Sequence, residues 1–148
     1  LDIIKNYNKK DNTYDRDFIE LFVNTFGGEA YSTLYALDYI RNMKTPLRTY
    51  CGKCISAGFF LFLAGDERKA YMNSTFLYHP LQCGTSGDIQ TVEEQMEENR
   101  RIQAMLEDYV SLTSGMTEEQ LQYIKEEKKD YYMSAEEALE LNICDEII

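Results

Sequence analysis

Between Asp17 and His79 the hydrophobic pattern alternates between strand-like and helix-like spacing, and this alternation constrains the fold more than any other feature of the chain. Asp17 to Asn24 (DFIELFVN) is short, apolar and β-prone, which predicts a mostly buried strand. A break follows at Thr25-Phe26-Gly27-Gly28. From Ala30 to Met43 the apolar residues Tyr31, Leu34, Tyr35, Tyr39 and Ile40 recur at helical spacing. Pro46 closes a linker, Leu47 to Cys54 reads as a second strand, and Ser56 to Ala64 reads as a buried helix stopped by Gly65-Asp66. Lys69 to Asn73 and Thr75 to His79 predict two further short strands. Strand, helix, strand, helix, strand is the order of βαβ units, with parallel strands joined by right-handed crossovers. Upstream, Asn6 to Asp17 is polar and turn-rich and reads as a loop.

The second half changes character at Gly84-Thr85-Ser86-Gly87. Asp88 caps a long helix predicted to run to about Thr113, with Ile89, Val92, Met96, Ile102, Met105, Tyr109 and Leu112 on one stripe. Thr117-Glu118-Glu119-Gln120 is a capping box that starts a helix to about Lys125. Ser134-Ala135-Glu136-Glu137 is another, ahead of a short helix and a last strand over Cys144 to Ile148. Residues 1–148 read as one α/β domain, since that length leaves no room for two ordinary ones.

Charge narrows the function. Lys plus Arg is 15 and Asp plus Glu is 26, a net charge of −11, which repels nucleic-acid backbones and anionic membrane surfaces. The longest near-apolar stretch, Ile55 to Ala64, is half the length of a membrane span. Four scattered cysteines do not make a disulfide scaffold and suit a reducing cytosol, hence a cytoplasmic protein. The chain starts at Leu1 rather than Met, so the true N-terminus is expected to be missing.

Five places could carry chemistry. Ser56 lies between an apolar strand and an apolar helix among small residues; it is either a nucleophile beside the Ala57 amide at a helix N-terminus, or a helix N-cap. His79 is the only histidine, so any imidazole chemistry within one chain must use it; it could equally be a half-buried strand-end residue. A single histidine also removes most zinc sites, and no metal or cofactor is expected. Gly27-Gly28 could aim backbone amides at a ligand, or simply turn the chain. Cys51-Gly52-Lys53-Cys54 has redox spacing, but the predicted helix starts after Cys54, so packing by small side chains is the preferred reading. Asp130, alone, is one acid within a charged run.

Taken together and in order, these pieces resemble a known family. Gly27-Gly28, Gly52-Lys53-Cys54-Ile55-Ser56-Ala57-Gly58, Tyr78-His79-Pro80 and Asp130-Tyr131-Tyr132-Met133-Ser134-Ala135-Glu136-Glu137-Ala138 are similar to motifs of the Clp protease proteolytic subunit (ClpP), a self-compartmentalising serine protease. The resemblance covers nearly the whole chain and implies the crotonase-like ββα superhelix with a long handle helix, the handle region spanning about 88–130. It implies Ser56 as nucleophile, His79 as general base and Asp130 as the orienting acid, with oxyanion amides from Gly27, Gly28 and Ala57. It implies serine endopeptidase activity on polypeptides, a homo-oligomeric ring or double ring, and an AAA+ ATPase partner that no residue here identifies. Thr25-Phe26 stands where the family has Ser-Pro, Ala57 where it has Met, and no Gln separates His79 from Pro80. A strand-helix segment expected before Asn6 is absent. Such divergence points to a distant relative, for example a phage or prophage protease acting in capsid maturation. Three other readings compete: a catalytically silent ring subunit, a crotonase-type enzyme acting on acyl-CoA, and a Ser–Lys peptidase.

Overall fold

The computed structural model describes residues 2–8, 13–127 and 129–148, with side-chain surroundings from Phe18 onward. One mixed sheet organises the chain. Strands β1 (Asp2–Asn8), β2 (Thr13–Thr25), β3 (Leu47–Ile55) and β4 (Glu67–Tyr78) lie side by side in chain order. β2, β3 and β4 are parallel, as the alternation requires, while β1 is antiparallel to β2. The far edge of β4 is shared: β5 (Tyr131–Met133) pairs antiparallel with its C-terminal end and β6 (Glu146–Ile147) pairs parallel near its start.

Helices α1 (Ala30–Arg41) and α2 (Ala57–Leu63) make the two crossovers. Every residue of α2 from Gly58 to Leu63 is buried, because the helix packs against β2, β3 and β4 as well as α1. Phe59, Phe62, Phe76 and Tyr78 are the largest fully buried side chains, and Phe62 meets Phe76 edge-on at 5.1 Å. Gly58 is obligatory here: a Cβ would stand 2.4 Å from Thr25 Cγ2, so only glycine lets α2 approach the end of β2.

Helix α3 (Ile89–Thr113) starts on Asp88, whose carboxylate accepts the Thr91 amide. Both capping boxes form, at the starts of α4 (Glu118–Glu126) and α5 (Ala135–Glu140). The apolar stripe of α3 needs correction. Its buried positions are Ile102, Leu106 and Val110, all in the second half, whereas Ile89 and Leu112 are each 80% exposed. The fold is otherwise the ββα arrangement with a long helix that the resemblance implies.

Four more expectations differ. The loop read over Asn6 to Asp17 is partly strand: β1 runs to Asn8 and β2 begins at Thr13, with residues 9–12 outside the described set. The two strands read over 69–73 and 75–79 are the single strand β4, ending one residue before His79. The β3–β4 ladder does break there, however, jumping from Cys51↔Ala70 to Lys53↔Thr75. The buried Ser74 hydroxyl donates to the Cys51 carbonyl at 2.5 Å, at the break in the ladder. β5 was not anticipated, and the last strand is shorter than Cys144 to Ile148.

Candidate active site

The β3–α2 turn settles what the Ser56 hydroxyl is not doing. Ser56 has φ 57° and ψ −119°, a left-handed conformation normally taken by glycine, and its side chain makes no capping hydrogen bond to α2. Such a conformation costs about 1–3 kcal/mol and recurs where a side chain must project from a sharp strand-to-helix turn. The surroundings hold it: the Ser56 amide donates to the Leu77 carbonyl at 3.0 Å, and the Ser56 carbonyl accepts the Phe59 amide at 2.9 Å.

The Gly27-Gly28 turn packs directly on this residue. Gly27 has φ +114°, and a Cβ there would lie 2.7 Å from Ser56 Cβ and 3.1 Å from its Oγ. Both the conformation and the space therefore require glycine. The Gly27 amide donates to Thr25 Oγ1 at 3.2 Å. Among the described residues the amides of Gly28 and Ala57 donate to no acceptor. Both residues line the cavity onto which Ser56 opens. Of the three amides expected at an oxyanion site, these two are free and Gly27's is engaged.

That cavity has a volume of about 470 Å³ and brings Ser56 together with His79. Phe26, Glu29, Tyr31, Phe60 and Tyr78 line it together with Ile102, Gln103 and Leu106 of α3. Glu29 is held there as the N-cap of α1: the Ser32 amide, then the Tyr31 amide and the Ser32 hydroxyl, lower its pKa. Burial beside Glu107 pushes the Tyr78 hydroxyl far above its ordinary pKa, so it stays protonated. Lys53 sits 3.3 Å from the Phe26 ring centroid, placing a cation at the rim.

His79 follows the last residue of β4, and its Nδ1 lies 2.6 Å from the Pro80 carbonyl oxygen. A carbonyl only accepts, so Nδ1 carries the proton and Nε2 is the free lone pair. No hydrogen bond joins Ser56 to His79 among the described residues. Asp130 is exposed and does not line the cavity. Its backbone position is nonetheless close in register: β4–β5 pairs Phe76 with Met133, Leu77 with Tyr132 and Tyr78 with Tyr131, so one further step sets Asp130 opposite His79.

Cys51 and Cys54 are buried free thiols on the same face of β3, brought there by the bulge between them. Their sulfurs lie 3.8 Å from the Thr75 and Val23 carbonyls, and burial raises the Cys54 pKa well above the ordinary thiol value. Cys83 is exposed and lines the cavity. Among the described residues no group of three His, Cys, Asp or Glu side chains is placed to hold a metal, and no helix is long and apolar enough to cross a membrane. Sequence reasoning missed Phe26, Gln103 and the Pro80 carbonyl. Phe26 carried a signal, an aromatic next to two glycines; Gln103 is one of several polar residues on a long helix.

Comparison with known proteins agrees with this geometry. The model of the Clp protease family matches residues 4–148. The ATP-dependent Clp protease proteolytic subunit of Deinococcus radiodurans is 33% identical over 133 residues, covering 88% of this chain and 64% of that protein. The ATP-dependent Clp protease proteolytic subunit 1 of Rhodopirellula baltica is 29% identical over 136 residues, covering 90% of this chain and 59% of that protein. The chain thus spans about three-fifths of the length of these curated relatives. With a family match across almost its whole length, a mixed sheet whose parallel strands are joined by α1 and α2, and a strained serine sharing a cavity with the only histidine, this chain belongs to the Clp protease family.

Proposed function

We propose that the chain is the catalytic core of a serine endopeptidase. The observation that carries this reading is Ser56: a non-glycine residue in a left-handed turn, its hydroxyl unused by the helix it precedes, sharing a cavity with the only histidine. Ser56 Oγ attacks the scissile carbonyl while His79 Nε2 takes its proton. The amides of Gly28 and Ala57 receive the developing oxyanion, and Gly27 serves by being small. His79 returns the proton to the leaving amine; water, deprotonated by the same nitrogen, then releases the acyl group and restores Ser56. Asp130, at the register position opposite His79, stabilises the imidazolium and shares the orientation of Nδ1–H with the Pro80 carbonyl.

The polypeptide is bound as an extended strand beside Gly27-Gly28, with one side chain in the cavity against α3. The wider assignments come from the family. The chain works in a homo-oligomeric ring or double ring in the cytoplasm, with the region 88–130 as the handle between rings. The ATP dependence in the relatives' names suggests an AAA+ ATPase partner. Ring closure would keep the site away from folded proteins.

One observation favours a second reading, a catalytically silent ring subunit: no hydrogen bond links Ser56, His79 and Asp130 among the described residues. Burst kinetics with an activated peptide ester, on a particle whose native mass is measured in parallel, separate the two. A product burst approaching one equivalent per chain supports the peptidase. A ring-sized particle with no burst and no turnover supports the silent subunit.

A further inference from the structure

We propose that Gln103 is a positioning residue for His79, acting through the Pro80–Leu81 peptide unit; its catalytic meaning rests on the peptidase reading above. One peptide plane is held from both ends. Its carbonyl, Pro80 O, faces His79 Nδ1 at 2.6 Å, and its amide, Leu81 N–H, donates to Gln103 Oε1 at 2.5 Å. Gln103 in turn donates from Nε2 to Glu107 Oε1 at 2.6 Å, and Lys125 of α4 closes the other Glu107 oxygen at 3.1 Å. Each assignment is forced by its neighbour. Glu107, ion-paired with Lys125, only accepts, so the Gln103 nitrogen must face it and the Gln103 oxygen must face Leu81.

The result is a head-to-tail chain of donors running from the imidazole to a carboxylate: His79 Nδ1–H to Pro80 O, Leu81 N–H to Gln103 Oε1, Gln103 Nε2–H to Glu107. Bonds aligned in this sense polarise one another. The chain fixes the tautomer that leaves Nε2 free for the Ser56 proton, and it delivers part of the Glu107 charge to Nδ1 when the ring becomes cationic. The location supports the role. Gln103 lines the cavity, lies beside the Tyr78 hydroxyl just before His79, and binds the residue two after it, so one side chain on α3 brackets the histidine.

Because His79 is the only histidine, ¹⁵N-histidine labelling of the full chain reports a single ring, with no activity required. In the unaltered protein the ring nitrogens should show a protonated Nδ1 and a bare Nε2. Gln103→Met, which keeps the volume and removes the acceptor, should move both signals toward a tautomer average. It should also lower kcat about tenfold to a hundredfold, as when other outer partners of functional histidines are removed, with little change in KM. The exchange Gln103→Glu with Glu107→Gln restores an acceptor for Leu81 and a donor between the two positions, and should return the signals and kcat. Should Gln103→Met not fold, Gln103→Ala carries the same test. The proposal is overturned if the signals stay put without the Gln103 acceptor, or if the exchange fails to restore them in a folded protein. Absence of a peptide-ester burst in the unaltered protein, with the tautomer still following Gln103, would sink the peptidase reading and leave this chain of bonds standing.

Discussion

The two halves of the site are built differently. Ser56, Gly27 and Gly58 sit where backbone meets backbone: a left-handed serine, a glycine with no room for a Cβ against it, and another pressed on Thr25. His79 and Asp130 sit at the ends of strands, the first just beyond β4 and the second exposed ahead of the three-residue β5. Ser56 is thus set by packing of the core, whereas His79 and Asp130 depend on the chain beyond it and on α3. It follows that changes in the first half should move stability, in either direction, as well as function, and changes in the second should damage function alone.

The largest expected effect is at Ser56. Ser56→Ala should remove turnover to the residual level left by binding and the oxyanion donors, a loss on the order of 10⁴-fold or more. Ser56→Gly should be equally inactive but about 1 kcal/mol more stable in urea titration, because glycine accepts the left-handed conformation. An unchanged midpoint for Ser56→Gly would show that the turn stores no strain.

His79→Ala and Asp130→Asn come next, each on the order of a thousandfold in kcat/KM, and not additive with each other. Thermal midpoints should barely move for Asp130→Asn, since the residue is exposed. A near-normal rate for Asp130→Asn would mean that another acid orients His79, and Glu107 is the one the hydrogen-bond chain reaches.

Gly27→Ala sharpens the contrast from the other side. Its Cβ must displace Ser56 or the turn, so about a hundredfold loss of turnover should accompany about 2 kcal/mol of destabilisation. Loss of stability with full activity would show that the Gly27-Gly28 turn is scaffolding only.

A smaller effect is expected at Cys83. It is the one exposed cysteine and it lines the cavity, so a bulky maleimide at neutral pH should label it first and slow peptide hydrolysis about tenfold by obstruction. Cys83→Ser should abolish the inhibition; inhibition that persists would place the reactive thiol elsewhere. The smallest effect is a pH limb. Burial raises the Cys144 thiol from 9.0 to about 11. Below pH 9 it is protonated both folded and unfolded; between about pH 9 and 11 the unfolded chain ionises first, so stability should fall with rising pH across that window. Cys144→Ala should flatten that limb in chemical denaturation.

Most elements were legible because their signals are local. Asp88, Thr117 and Ser134 announce helix starts through side chains that cap amides within three residues. β4 reads as two strands because the sequence divides at Ser74, but the division marks a break in pairing rather than in the strand. β5 was missed because three residues carry no period; its pairing with Phe76–Tyr78 is a tertiary fact. In the site, Ser56 stood out between an apolar strand and an apolar helix, Gly27 as one of two adjacent glycines after a strand, and His79 as the only histidine; that Ser56 and His79 share a cavity is a tertiary fact. Gln103 was not, because its importance comes from the orientation of one peptide plane 22 residues away. The role of Phe26 depends on Lys53 crossing from another strand.

Whether Ser56 is a nucleophile activated by His79 is tested most directly by treating the full-length protein with a fluorophosphonate, followed by intact mass and peptide mapping. A single adduct per chain is expected, mapped to Ser56, absent in Ser56→Ala and formed far more slowly in His79→Ala. An unmodified protein, or an adduct on any other serine that survives Ser56→Ala, would contradict it.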